Sequence, residues 1–599
     1  MTDHQTRQHK LLEIKGIVYV KNEVNLGFVR SCNKAAAIAR GEYLVFLNND
    51  TYIKPLWLDS LILTLNSNPT NGIVGSKLVY PNGKLQEAGG IVWADGAATN
   101  FGNNSNSFDP SFNFTRHADY VSGASLLIRK TTFLSAGGFD IQYAPAYYED
   151  TDLCFTVKHK LGLNVIYEPK SELIHFEGVS SGILYSKSGV KNNQILNQVK
   201  FIKKWSKILN SRTFLSGKNL YLAARKFCGN KTILVIDSYM PRFDRESGSN
   251  RLLHILKILK NSGFHVIFLP DNWNKEEPYN TILQNLGIET LYTSSQYSED
   301  LVEIVQSRLD YIEVAWLCRP EITEKYGEAI RKLNPKVKII YDTIDLHFLR
   351  LKREAELYPD QISDKNNWMK MKKTELDLAT MADMVITITD VDKDIFKEEN
   401  ISERKLITIP NIHVFNSTLK PGFEERSGIL FIGSYNHPPN IDAVIWLCEE
   451  IMPLVWKECP DIKVTLLGNN PTMDIKSLEN DKISVPGFVE DVAPYFNANK
   501  IFVAPLRYGA GMKGKIGQSY EFGLPIISTT IGVEGMGLKD GLNILVADNT
   551  QSFAQKIISL NSNPLTWNML AGNSELAIKP YSPESIKHSV ELMFTYLEN

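Results

Sequence analysis

The sequence predicts an α/β protein made of several parallel-sheet units, and three observations carry that expectation. Short apolar runs rich in β-branched residues recur along the chain, helical patterns fill the intervals between them, and 599 residues exceed what one hydrophobic core can serve. Such runs read as buried parallel strands covered by helices on both faces. In order they are 16–20 (GIVYV), 43–47 (YLVFL), 232–237 (TILVID), 265–269 (HVIFL), 338–342 (KIIYD), 384–389 (MVITIT), 429–433 (ILFIG), 463–468 (KVTLLG) and 501–505 (IFVAP). In sheets of this type ligands sit beyond the carboxyl ends of the strands, so the residues just after each run are the candidates for chemistry.

Composition narrows the class. With 43% hydrophobic and 22% charged residues the chain is an ordinary globular one, and a formal net charge of -2 offers no global attraction for nucleic acid. The six cysteines stand singly, without a CxxC pair, which argues against a zinc site or a disulfide framework. The first residues are polar and lack the apolar segment of a signal peptide, and no apolar stretch reaches bilayer length. The expected setting is the reducing cytoplasm, with at most peripheral membrane contact.

Four segments follow. Residues 1–186 form a first module, and 187–230 a basic, Asn- and Lys-containing helical linker. Residues 231–411 form a second α/β unit, and 412–599 a third, entered through a polar passage with Pro421 and Gly422. The tail from Asn563 reads as helical and is expected to pack back on an earlier unit.

In the first module, Asn48-Asn49-Asp50 follows the strand at 43–47. A carboxylate there can hold a divalent cation whose other positions are filled by substrate phosphates, though a turn wanting Asn and Asp explains it equally well. Glu149, Asp150 and Asp152 crowd the start of an amphipathic helix behind Tyr147 and Tyr148. Acids favour a helix's first turn, but capping needs neither three of them nor two tyrosines in front. One such carboxylate could act as general base on an acceptor hydroxyl. His175, after a later strand, could complete a metal site or be structural.

In the second unit the strand at 232–237 leads through a glycine-bearing loop (Gly248) into a helix, and Asp342, Asp345, His347, Arg350 and Arg353 stand at and after the end of the strand at 338–342. These charges suit either a site or a solvated helix face. The third unit places Gly433 after its first strand. After 501–505 come Gly509, Gly511, Gly514 and Gly517 among Arg507, Lys513 and Lys515. Glycines let a backbone approach a phosphate closely, and the cations neutralise it.

Order and spacing of NLGFVRSCNKAAAIARGEYLVFLNNDTYIKP, YVSGASLLIRKTTFLSAGGFD, YYEDTDLCFTVKHKLGLNVIYEP and IHFEGVSSG, over residues 21–182, resemble family-2 glycosyltransferases of the GT-A fold. That resemblance implies that Asp50, with His175, binds a manganese or magnesium ion holding a nucleotide-sugar diphosphate. It implies that Asp150, or else Glu149, is the base of an inverting transfer, with Asp152 beside them, and that Asn25 and Asn33 approach the donor. Against the family pattern the opening strands that bind the base and ribose are missing, so metal-dependent transfer from this module is expected to be undetectable. Residues 231–597 resemble family-4 glycosyltransferases of the GT-B fold, two Rossmann-like domains with the active site between them. By that resemblance Arg507, Lys513 and Lys515 grip the donor diphosphate near Gly433 and Gly511, and Asp345 and His347 lie on the acceptor side. Transfer would be retaining and metal-free. Gln518 stands where the family usually has a ribose-binding glutamate, with Glu521 one turn further on. The whole is expected to be a bacterial tandem glycosyltransferase of the α/β class, a truncated GT-A domain plus a GT-B pair. It would move a hexosyl or deoxyhexosyl group from a nucleotide sugar to a saccharide or lipid-linked acceptor in surface-polysaccharide assembly, in the cytoplasm or at the inner face of the plasma membrane. No nucleic-acid partner is expected. A non-catalytic scaffold and a GT-B nucleotide-sugar epimerase are the alternatives.

Overall fold

The computed structural model describes residues 16–176, 189–217, 219–226, 231–296, 305–306, 308–358, 367–415 and 420–598. Residues 177–182 of the IHFEGVSSG motif lie outside them, as do the borders at 186–187 and 230. The chain divides into two compact units, residues 1–231 with 281–299, and residues 232–280 with 300–599.

The first unit is built on a seven-stranded mixed sheet whose main path runs Tyr43–Leu47, Ser125–Arg129, Asn71–Val79, Asn164–His175, Thr51–Ile53. Asn71–Val79 is buried along its whole length and pairs in parallel with Asn164–His175. Period-two alternation sorts the core into two layers. Val74, Leu127 and Ile166 point to the side of the helix Trp57–Ser67, with Trp57, Leu61 and Leu65. Ile73, Leu126, Ile128, Val165 and Tyr167 point to the other side, where Phe155 and Val157 of the helix Glu149–His159 meet them.

Four expectations change here. The run at 43–47, read as a buried parallel strand, is an edge strand paired antiparallel with Ser125–Arg129, and its Val45 and Leu47 are exposed. The run at 16–20 forms no strand, and its Ile17, Val18, Tyr19 and Val20 are exposed. A β-branched run becomes a strand only where a neighbouring strand takes its hydrogen bonds, and none does so at these residues. The stretch at 187–230, expected to be a linker, contains the helix Gly189–Leu209, whose Phe201, Trp205 and Leu209 are buried in the first unit's core. Residues 281–299, expected in the second α/β unit, belong to the first, where the buried Glu289 pairs with Arg225 at 2.6 Å.

The second unit contains two parallel sheets. In the first, His265–Pro270, Thr232–Asp237, Val314–Cys318, Lys338–Asp342, Met384–Thr387 and Leu406–Thr408 lie side by side. The second runs Ile483–Gly487, Val464–Leu467, Ile429–Ile432, Ile501–Ala504, Ile526–Ser528, Leu545–Val546. In each, the chain works outward from a central strand and then returns to the other side of it, at Val314 and at Ile501. Each sheet therefore has a switch point where loops diverge and leave a crevice. The helical tail does return to the first sheet's half: Phe594 of the helix Pro583–Glu598 packs against Phe264, the rings tilted by 31° with centroids 4.5 Å apart.

Candidate functional site

The second unit's crevice is assembled from loops that leave carboxyl ends of strands. Gly433 ends the strand Ile429–Ile432, and the helix Pro438–Trp446 starts just beyond it. A Cβ at Gly433 would stand 2.8 Å from the Asn440 side chain, so only glycine lets that helix start so close to the strand. Asn440 donates to the Ser434 carbonyl at 2.8 Å and accepts a hydrogen bond from Lys515 Nζ. Lys513 precedes the helix Gly514–Glu521, and its Nζ donates to the carbonyls of Ala510 and Gly511 at 2.7 and 2.6 Å.

Both lysines are half-buried and donate to neutral oxygens. Burial pushes the Lys513 amine down to about 8. Burial, with Lys513 adding repulsion, pushes the Lys515 amine down to about 7. An anion bound at this helix N-terminus would restore the charge of both amines.

Against this loop stands the turn Asp345–His347 of the first sheet. Asp345 Oδ1 is 3.0 Å from His347 Nε2, and Oδ2 is 3.4 Å from Arg350. Burial alone would raise the Asp345 carboxyl, but the His347 hydrogen bond and the charges of His347 and Arg350 hold it well below the usual carboxylate range. Burial works against protonation of His347, yet its bond to Asp345 raises it overall. Glu375, pushed up to about 7 by burial, accepts the backbone N–H groups of His347 and Phe348 at 3.0 Å each and fixes the start of their helix.

Several expected roles are redistributed. Gly511, Gly514 and Gly517 carry no Cβ because Asp345, the Ser247 hydroxyl and His413 respectively occupy that space, at 3.1, 1.9 and 2.0 Å from where it would be. The glycines admit the facing half of the unit, where the sequence suggested a phosphate. Arg507 is held by Asp442 and by the Tyr358 hydroxyl, so its charge is already balanced. Glu521 pairs with His413 Nδ1 at 2.7 Å, while Gln518 is half-buried one turn earlier. Arg353, left open between a site and a solvated helix face, forms a bidentate pair with Glu534 at 2.7 Å for both bonds and donates to the Gly509 carbonyl at 2.6 Å.

In the first unit the register brings His175 opposite Thr51, next to Asp50. His175 Nε2 lies 3.3 Å from Asp50 Oδ1 and 3.4 Å from the Asn48 amide nitrogen, and Nδ1 lies 3.1 Å from Gln86 Oε1. In the tautomer that donates from Nδ1 to Gln86, Nε2 would turn its lone pair toward the Asp50 side. Among the described residues no group of three or more His, Cys, Asp and Glu converges that could hold a metal ion, so any cation at this pair would need its remaining ligands from outside the chain.

Asp150 is half-buried and accepts from Gly123 N at 3.0 Å and Thr151 N at 2.7 Å, and desolvation raises its carboxyl. Burial, with the Asp150 charge nearby, pushes Glu149 up to about 8. Glu87, also buried, rises to about 8 and accepts from Ser122 N at 3.0 Å. Gln86 and Glu87 were not singled out in the sequence; a polar pair within an otherwise buried strand, Leu85–Glu87, was the available signal. Asp152 faces away from this cluster, held by Tyr143, Trp205 and Lys204 at 3.1, 2.7 and 2.7 Å. Asn33 spends its amide on the Phe139 backbone, and Asn25 accepts from Gly27 N at the start of the helix Gly27–Ile38. Asn197 donates to the carbonyls of Tyr143, Ala146 and Tyr147 at 2.9, 3.0 and 3.0 Å, pinning the loop that ends in Glu149 and Asp150.

Residues 2–133 match the model of glycosyl transferase family 2, and residues 426–563 that of glycosyl transferases group 1. The chain is 30% identical over 200 residues to a 44.6 kDa protein in the cps region of Klebsiella pneumoniae, covering 31% of this chain and 50% of that one. It is 36% identical over 162 residues to the O-antigen biosynthesis protein RfbC of Myxococcus xanthus, covering 25% of this chain and 12% of that one. The chain thus spans half or less of the length of these relatives. Among solved structures it is similar to Anabaena Alr3699/HepE in complex with UDP and glucose, with a TM-score of 0.47 at 13% identity over 61% of this chain and 100% of that one. A second similar structure is TarM, with a TM-score of 0.47 at 12% identity over 62% and 99%. Among the described residues no helix is long and apolar enough to cross a membrane. This α/β chain therefore carries one segment that matches the family 2 glycosyltransferase model followed by one that matches the group 1 glycosyltransferase model.

Proposed function

We propose that the second unit transfers a hexosyl or deoxyhexosyl group from a nucleotide-sugar donor to a saccharide or lipid-linked acceptor in surface-polysaccharide assembly, at the cytoplasmic face of the membrane. One observation carries this reading: Lys513 and Lys515 place two half-buried amines at the N-terminus of the helix Gly514–Glu521, facing the Asp345–His347 turn. A diphosphate set there would take both lysines and the helix's free N–H groups, and its charge would be neutralised without a metal. Asp345, His347 and Arg350 then line the side on which an acceptor hydroxyl enters. The test is thermal unfolding of the whole chain against a panel of nucleoside-diphosphate sugars with EDTA present. At a hundredfold excess over its dissociation constant a donor stabilises by about 2.7 kcal/mol. If no member of the panel shifts the transition, the assignment fails.

In the first unit Asp50 and His175 would hold a manganese or magnesium ion, which when bound supplies charge for a departing diphosphate. The chain's own residues supply the rest of that site: Gln86 orients His175, and Asp150 is the candidate base, its carboxyl raised by burial toward working pH.

A further inference from the structure

From Gly178 to Ile236 the chain contains no Asp or Glu and eleven Lys or Arg, although its overall net charge is -2. The helix Gly189–Leu209 lies within this stretch and presents two unlike faces. One face is core, with Phe201, Trp205 and Leu209. The face away from it carries Leu196 and Val199, which are 59% and 60% exposed, flanked by Ile195, which is 59% exposed, while Ile202 borders the core against Gly96. Exposed Lys203 and Lys207 continue that face toward the C-terminus. A solvated helix face ordinarily carries mixed charge; this one carries large apolar side chains beside cations of a single sign. The loop that Asn197 and Lys200 tie to the helix adds exposed Ile141 and Tyr147, and Lys200 Nζ donates to the Gln142 carbonyl at 2.6 Å.

We propose that this face of Gly189–Leu209 docks on the surface of a bilayer containing anionic lipid. The apolar residues would enter the headgroup boundary while Lys203 and Lys207 meet lipid phosphates. An interfacial helix needs this combination of an apolar stripe and flanking cations, and its charge is complementary to anionic headgroups. The loop 143–147, pinned by Asn197 and leading into Glu149 and Asp150 at the start of their helix, would then lie beside the lipid surface, where a lipid-linked acceptor would present its hydroxyl. The docking surface itself does not depend on which unit transfers sugar.

The test is co-sedimentation of the whole chain with phosphatidylcholine vesicles made with and without phosphatidylglycerol, at low and high salt. The chain is expected to sediment with the anionic vesicles, and raised salt should release it. Lys203→Glu with Lys207→Glu should weaken partitioning by about fivefold or more per lysine. Leu196→Glu with Val199→Glu should weaken it without lowering the unfolding temperature, because both side chains lie outside the core. Donor binding at Lys513 should stay unchanged in all four substitutions, which separates this proposal from the transferase reading. Equal sedimentation with both vesicle types, or partitioning indifferent to the substitutions, overturns it. A chain that ignores vesicles but forms a dimer dissolved by the same substitutions also overturns it, and would make the face a protein interface.

Discussion

The two units place opposite charges under the same constraint. In the first, the carboxyls of Glu87, Glu149 and Asp150 are raised by burial; in the second, the amines of Lys513 and Lys515 are lowered by it. Each set is kept at a cost that a complementary ligand relieves. Under the proposed function the lysines would meet an anion directly, whereas the acidic unit would need a cation, for which Asp50 with His175 is the proposed place. The two units would then manage a diphosphate in two ways, one with the chain's own cations and one with a cation taken from solution.

The largest effect expected is on donor binding. Replacing Lys513 and Lys515 together with alanine should remove two charge-assisted contacts, each worth about 1.5–3 kcal/mol, and weaken affinity by a hundredfold or more. Titration calorimetry with the best donor checks it, and unchanged affinity would end the diphosphate assignment. Manganese-dependent turnover is not expected to remain in this variant. A remainder abolished by Asp50→Ala would show that the first unit also transfers sugar.

Next comes stability. Below about pH 7 Lys515 is protonated folded and unfolded, so the burial penalty is fully present. Between there and its ordinary value of 10.5 the unfolded chain keeps the proton while the folded chain sheds it, and stability rises with pH. Lys515→Met should therefore stabilise the donor-free protein at pH 6 by on the order of 3 kcal/mol or less, with the advantage shrinking as pH approaches 10. Urea unfolding at both pH values measures it. A constant difference would mean that the amine is not held in a charge-averse place.

A smaller effect sharpens the other side of the comparison. Gln86→Ala frees His175 to rotate and should lower manganese affinity about 10- to 100-fold, read by calorimetry on the whole chain. Smallest is Arg353→Ala, which breaks the pair with Glu534 and the bond to Gly509. Both side chains are partly exposed, so a stability loss of about 1 kcal/mol is expected, measured by urea unfolding.

Much of this was legible because burial writes itself into sequence. The run at 429–433 could be read as a strand because both its faces are covered, and a doubly covered strand has no place for polar residues. The pairing of Asp50 with His175 was approached from the order of motifs, since each sits at the end of a strand. What failed had one cause. Gly16–Val20 has the composition of a strand, but a ladder belongs to two segments, and composition describes one. Likewise the buried face of Gly189–Leu209 was hidden behind its lysines, because Phe201, Trp205 and Leu209 recur at helical spacing within a basic stretch.

By itself, then, the sequence determined the α/β class, the positions of most parallel strands and the strand ends at which chemistry is possible, because local hydrophobic pattern decides burial. Only the tertiary structure decided which charges are spent and which are available. Arg507 and Lys515 look alike in sequence, yet one is neutralised by Asp442 and the other donates to Asn440. Arg353 finds Glu534 across 181 residues, and Gly514 is a glycine because the Ser247 hydroxyl fills the space of its missing side chain. Charge and close contact are settled by neighbours in space, and neighbours so distant along the chain leave no local pattern to read.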